Sequence, residues 1–209
     1  MLLACSALTA CGARADAGAG VRASALTSAN ASVETGARPL NSEDESINGR
    51  PLKLPLAQPK IVVEKAARRL TLYSNGERVR VFHVALGFEP SGDKVKQGDG
   101  RTPEGDFYVC MKNDRSKFYL SLGLSYPNAE DAERGLRDGL ITRAQHKRIT
   151  NAITRGAKPP WDTALGGEIF IHGGGTASDW TWGCVALANE HIKELFDAVP
   201  LGTNVHIEP

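Results

Sequence analysis

The sequence predicts a mainly β domain with peripheral helices, its sheet mixed but largely antiparallel. Three observations carry this. Short stretches in which apolar and polar residues alternate recur from residue 61 onward, the period of half-buried strands. An Asn-Gly pair, Asn75-Gly76, joins two of them; both residue types tolerate positive φ, which a tight hairpin requires. Glycine is frequent, at 22 residues, and aromatics make up only 6%, a composition suited to many turns. At roughly 150 residues per domain, the chain of 209 residues holds one domain and an appendage.

Taken in order, Ile61-Val62-Val63-Glu64 is a short apolar strand, and Arg69 to Tyr73 is a second with Leu70 and Leu72 on one face. The return strand runs from Arg78 to Gly87. It has Val79, Val81 and His83 on one side and Phe82, Val84 and Leu86 on the other. A polar, glycine-rich loop fills Glu89 to Gly105. Two more alternating stretches follow, Asp106–Met111 and Phe118–Leu124. Residues 128–156 read as a helical insert. Asn128 caps one helix from Ala129, Thr142-x-x-Gln145 is a capping box for another, and Gly156 ends it. An insert of this length suits a lid or a cleft wall. Glu168 to His172 is a buried-type strand. Asn189 is expected to cap a last helix carrying Ile192, Leu195, Phe196 and Val199, stopped by Pro200; Asn204 to Ile207 is a closing strand.

The N-terminal part differs in kind. Leu2-Leu3-Ala4 through Leu8-Thr9-Ala10 is apolar and ends in small residues, like the back half of an export signal. Leu8-Thr9-Ala10-Cys11-Gly12 resembles a bacterial lipobox, which implies a lipid anchor on Cys11 and an exported, periplasmic or envelope location. No positively charged region precedes the apolar stretch, and Cys5 is a weaker competitor. Residues 12–58 are rich in Ala, Gly, Ser, Thr and Pro without periodicity, the composition of a flexible linker. The organisation expected is therefore a signal over 1–11, a linker over 12–58 and a domain over 59–209.

Composition sets limits on function. Lys and Arg total 25 against 24 Asp and Glu. That near-balance argues against nucleic-acid binding through a basic face. Four cysteines are too few for a disulfide scaffold.

The chemistry concentrates between Ile171 and Leu187. His172 ends a strand, a Gly-rich loop follows, and Cys184 stands twelve residues on, between Gly183 and an apolar run. Such a loop can fold back and set an imidazole beside a thiol, the pair a cysteine nucleophile needs. The amides of Gly183 and Cys184, with that of Trp182, are candidate oxyanion donors. Asp179 and the Gly173 carbonyl are both candidates to orient the imidazole. Each residue also has a bland reading: Cys184 as a small buried hydrophobe and His172 as a core histidine bonded to backbone. A zinc site of His172, Cys184 and His191 lacks the paired spacing such sites use. Cys110, inside an alternating strand, reads as structural.

The segment His172-Gly173 with Thr181-Trp182-Gly183-Cys184-Val185 resembles the signature of the L,D-transpeptidase catalytic domain (YkuD-type) family. A second segment, Gly98-Asp99-Gly100-Arg101-Thr102-Pro103-Glu104-Gly105-Asp106-Phe107, is similar to that family's Thr-Pro-x-Gly-x-Phe/Tyr motif. The resemblance covers Pro59 to Glu208 and implies a sandwich- or barrel-like catalytic fold. It implies Cys184 as nucleophile, His172 as general base and the Gly173 carbonyl as the group orienting it. Thr181 and Gly183 would shape the loop, and Thr102, Pro103 and Gly105 would build the cleft wall. Substrate contacts are expected from Thr181, Trp182, Trp180 and Arg101, with no metal or diffusible cofactor.

The implied activity is a peptidoglycan L,D-transpeptidase. It forms a thioester with a tetrapeptide stem and passes it to an amine. Two alternatives stand beside it: an amidase or hydrolase releasing wall-linked lipoprotein or trimming stems, and a non-catalytic wall-binding module. Three departures matter. Trp182 stands where the family often has a second His. Ala186 stands where many members carry Arg, so either another group such as Arg101 or Lys112 meets a substrate carboxylate, or the substrate differs. The loop from His172 to Cys184 is short and resembles the branch containing enzymes that detach lipoprotein from peptidoglycan.

Overall fold

The computed structural model describes residues 39–209. The expected signal, Cys11 and residues 12–38 of the expected linker lie outside them. The elements are α1 (Ser42–Asn48), β1 (Lys60–Glu64), β2 (Arg69–Ser74), β3 (Glu77–His83), β4 (Gly105–Ser116), β5 (Tyr119–Leu124), α2 (Ala129–Arg137), α3 (Arg143–Thr154), β6 (Phe170–His172), β7 (Val185–Ala186), α4 (Asn189–Ala198) and β8 (Asn204–Glu208). The expected mainly β domain with peripheral helices is what forms.

The strands run β3-β2-β1-β8-β4-β5-β6-β7 across one curled sheet. Ladders are antiparallel except β1 with β8 and β6 with β7. The hairpin between β2 and β3 turns at Asn75 and Gly76, φ 51° and 82°, as the Asn-Gly pair dictates. The chain after β3 then reaches the opposite edge. Ala85 and Ala186 exchange two backbone hydrogen bonds, 2.9 and 2.8 Å, and Thr181 bonds Leu86 and Phe88 at 3.1 Å. These bridges join the two edge strands, which would otherwise expose unpaired backbone. The return strand expected to reach Gly87 therefore ends at His83, because Ala85 to Gly87 pair across the barrel instead.

The core fills the curl. Ile61, Val63, Leu70 and Leu72 meet Phe107, Leu122, Ile171 and Val185, and α4 seals one side with Ile192, Leu195 and Val199. Burying such side chains stabilises by about 1.5–3 kcal/mol each. Asn128 and Thr142 cap α2 and α3 through capping boxes, as read from the sequence. Asn189 does not cap α4. Ala188 holds that position without a side-chain bond, because the Asn189 side chain accepts the Gly174 N–H at 3.0 Å.

Two elements escaped the sequence reading. β7 is only two residues long. α1 sits inside the stretch expected to be linker, so that expectation is corrected from Asn41 onward. Asn41 and Asp44 form the same kind of box as Asn128 and Asp131, but Ile47 alone gives no apolar periodicity. α1 packs on β3, where the Asn48 amide bonds both the N–H and the C=O of Val81, at 2.8 and 2.7 Å. The helical insert has its own small core of Ala132, Ile141, Ile149 and Leu165. It is no lid, since none of residues 128–156 lines the grooves beside Cys184. Instead Arg134 salt-bridges Asp93 and bonds the Lys94 carbonyl, bracing the loop after residue 88.

Candidate active site

His172 closes β6 and is buried. Its Nδ1 lies 2.6 Å from the Gly173 carbonyl oxygen. A carbonyl only accepts, so Nδ1 carries the hydrogen and Nε2 keeps the free lone pair. The ring is clamped by aromatics: Phe118 stacks on it at 4.6 Å between centroids, and Trp180 meets it edge-on at 5.5 Å. Gly173 has no room for a side chain, since a Cβ there would sit 2.5 Å from Asn189 Oδ1 and 2.7 Å from the Phe118 carbonyl oxygen.

Cys184 is half-buried in a turn built by backbone contacts from distant segments. Thr181 Oγ1 donates to the Cys184 carbonyl at 2.8 Å and accepts the Gly183 N–H at 3.1 Å. Thr102 Oγ1 accepts the Gly87 N–H at 2.9 Å and also reaches the Cys184 carbonyl, at 3.4 Å. Gly183 adopts φ +116°, and a Cβ there would fall 2.5 Å from the Arg101 carbonyl oxygen. Only glycine fits such a position. The second sequence motif therefore underlies the first as a scaffold: Thr102 is buried beneath the turn and, with Pro103 and Gly105, lines neither groove beside Cys184, so the expected wall role is replaced by a supporting one.

The thiol donates to the Glu168 carbonyl at 3.5 Å. Burial pushes it up to about 11, a hydrogen bond from the Phe170 backbone and the nearby Lys94 ammonium offsetting only part. Burial pulls His172 below its ordinary range, the Gly173 carbonyl opposing weakly. Both shifts favour the neutral forms, thiol and imidazole, over an ion pair.

The structure brings Cys184 and His172 together in one groove of about 400 Å³, with Asn113, Arg115, Lys117 and Glu168 among its other walls. Cys184 and Glu168 also line a second, smaller groove of about 240 Å³, with Lys94, Gln97 and Trp182. The two tryptophans divide their work. Trp180 is tied by its indole N–H to the Gly175 carbonyl at 3.2 Å and supports His172. Trp182 is 68% exposed and packs edge-on against Phe88 at the smaller groove.

Several expected residues are placed elsewhere. The Gly183 amide is already engaged by Thr181, so it is no oxyanion donor; among the described residues the N–H groups of Trp182 and Cys184 have no acceptor. Thr181 is buried and both roles of its hydroxyl are taken, which makes it a turn-former rather than a substrate contact. Asp179 binds Arg68 at 2.7 Å and the Leu86 N–H at 2.8 Å, leaving the Gly173 carbonyl to orient the imidazole. Arg101 points to the Asp93 carbonyl and lines neither groove. Lys112 is tied to the Phe196 and Val199 carbonyls at the end of α4. His191 stacks on Phe82 at 4.6 Å, so the zinc set does not assemble. The groove residues missed in the sequence are Arg115, Lys117 and Glu168. Nothing in their local pattern marks them, because a hairpin and a strand start bring them beside Cys184 only in three dimensions.

Fold and groove together define a mainly β domain that presents a thiol and an imidazole in one cleft. The family model described as "L,D-transpeptidase catalytic domain" (YkuD) matches residues 58–207, and the chain belongs to that family. No curated protein matches the chain. Among solved structures, it is similar to an L,D-transpeptidase (residues 123–326) from Xylanimonas cellulosilytica at 18% identity and TM-score 0.43, covering 76% of this chain and 64% of that one. It is also similar to the helical cell shape determining protein Pgp2 (K307A mutant) from Campylobacter jejuni, at 22% identity and TM-score 0.49 over 73% and 47%. A third is an L,D-transpeptidase from Mycobacterium tuberculosis H37Rv, at 13% identity and TM-score 0.43 over 73% and 58%. The chain thus spans less than two thirds of each. The family assignment rests on the sequence match.

Proposed function

We propose that this chain is a cysteine-dependent acyltransferase acting on peptidoglycan stem peptides, with Cys184 as nucleophile and His172 as general base. The observation that carries the reading is the shared groove, in which His172 has Nδ1 fixed on the Gly173 carbonyl and Nε2 left as its basic nitrogen. With a neutral resting pair, His172 takes the thiol proton as sulfur attacks the stem carbonyl. The Cys184 N–H, without a protein acceptor among the described residues, is the donor proposed for the developing oxyanion. The tetrahedral intermediate collapses to a thioester as the imidazolium returns its proton to the departing amine. A second amine then attacks, and His172 accepts its proton.

Release of wall-linked lipoprotein or trimming of stems would use the same thioester with another acceptor. A cell-envelope location, with Cys11 as lipid anchor, is the setting proposed with this substrate. The test is intact-mass and muropeptide analysis of purified protein with sacculi, beside Cys184→Ala. Crosslinked dimers that need Cys184 are the expected result. Released lipoprotein or shortened stems without dimers would move the reading to hydrolysis. Absence of any adduct on Cys184 would leave the wall-binding module.

A further inference from the structure

On the reading just given, acylation creates negative charge at two atoms, the sulfur as it loses its proton and the carbonyl oxygen it attacks. His172 answers the first by taking the proton. It lines only the larger groove; the smaller one is lined by Cys184, Trp182 and Lys94. Trp182 and Cys184 are the residues of this turn whose N–H groups have no acceptor among the described residues. The smaller groove therefore joins the free backbone donors to a lysine.

Lys94 is 2% exposed, and burying an ammonium group is costly and rare. Its Nζ donates to Asp99 Oδ1 at 2.7 Å and to the Lys96 carbonyl at 3.1 Å. An ammonium has three hydrogens; the third meets no oxygen acceptor among the described residues, and the Tyr126 ring centroid lies 5.9 Å away. The backbone is fixed by Arg134, whose Nη2 donates to the Lys94 carbonyl at 2.8 Å. Asp99 closes the loop without needing the lysine. It accepts the N–H groups of Val95, Lys96 and Arg101 at 2.8, 3.1 and 3.1 Å. The Arg101 carbonyl lies against Gly183, so the carboxylate that holds Lys94 also anchors the floor of the Cys184 turn. Burial dominates the thiol, but of the charged residues lining this groove Lys94 pulls it down more than Glu168 pushes it up.

We propose that Lys94 supplies the positive charge that stabilises the acylation transition state, its buried ammonium acting across the smaller groove on the sulfur and the oxyanion while the Cys184 N–H bonds the oxygen. In that step the C–S bond forms, the carbonyl π pair moves to oxygen and the thiol proton passes to His172 Nε2. Lys94 stays protonated throughout. On collapse the oxygen returns its pair, the bond to the leaving group breaks and, where that group is an amine, the imidazolium gives it the proton. A fixed charge of this kind needs no reorganisation as the reaction proceeds.

The test compares the full native chain with Lys94→Met/Asp99→Asn, which removes both charges and leaves no unpaired carboxylate behind. Should that variant not fold by circular dichroism, Lys94→Gln, able to keep a hydrogen bond to Asp99, takes its place with the same expectation. A stem-peptide thioester acylates the protein, and peptide mass mapping follows the adduct on Cys184. The maximal acylation rate is expected to fall about a hundredfold, the usual loss for one oxyanion-stabilising group, with the half-saturating concentration within about twofold of native. Alkylation of Cys184 by iodoacetamide at pH 9, which reads the thiolate without substrate, should slow by about tenfold. An unchanged acylation rate in the folded variant overturns the inference and leaves the acyl-enzyme reading standing. So does a loss of rate with unchanged alkylation and a raised half-saturating concentration, the mark of a displaced loop. No adduct on Cys184 of the native protein overturns both.

Discussion

Cys110 and Cys184 are the two free cysteines among the described residues, and they differ less than their proposed roles suggest. Both are half-buried, and burial pushes both thiols up to about 11. Cys110 lies within β4, where its neighbours are strand residues and its thiol meets no imidazole. Cys184 lies in a turn whose backbone is fixed by Thr102, Thr181 and the Arg101 carbonyl, at the meeting of two grooves and in the same cleft as His172. Titration does not separate the two. On the proposed reading, the reactivity of Cys184 comes from what stands beside it, not from an intrinsic shift.

The largest effect that can break this comparison is Cys184→Ala, expected to lower turnover by about a thousandfold or more in a muropeptide assay. His172→Ala should cost about a hundredfold or more while the protein still folds, checked by circular dichroism. The pH profile sharpens the point. An imidazole must be neutral to accept the thiol proton, and burial holds His172 below the ordinary 6.5. The rate of thioester formation should therefore rise through a pH below 6.5 and then stay flat through neutrality, because the thiol loses its proton only near 11. A falling limb near pH 7 would instead indicate a thiolate–imidazolium pair.

Smaller effects address the turn. Gly183→Ala puts a Cβ 2.5 Å from the Arg101 carbonyl oxygen at φ +116°. It should lower stability by about 1–3 kcal/mol in denaturant unfolding, with activity falling further. Thr181→Val removes the hydroxyl that serves both Gly183 and Cys184 and should cost about 1 kcal/mol or somewhat more. The smallest change is expected from Cys110→Ala, with activity within about twofold of native. A larger loss would mean that the two cysteines are not as separate as their surroundings make them.

Local rules were readable wherever a residue's role is settled by its near neighbours. Asn75-Gly76 makes its turn, and Asn128 and Thr142 cap their helices, because each acts within four residues along the chain. The same logic failed at Asn189. A cap-competent side chain was claimed by Gly174, fifteen residues away. Gly183 shows a similar limit: its amide looked like an oxyanion donor until the turn brought Thr181 Oγ1 under it. Asp179 was in place to orient His172 by sequence distance, yet Arg68 and the Leu86 amide hold it.

The sequence by itself determined the strand and helix periods, the hairpin, the capping boxes and the His172–Cys184 pairing with its family signature. Each of these is written in spacing along the chain. Tertiary structure alone decided that the chain just after β3 meets β7, so that the sheet curls closed around its core. It alone placed the Arg101 loop beneath Gly183 and set Arg115, Lys117 and Glu168 around one thiol. The physical reason is separation: these contacts join residues tens of positions apart, and only the burial of a common core brings them within reach.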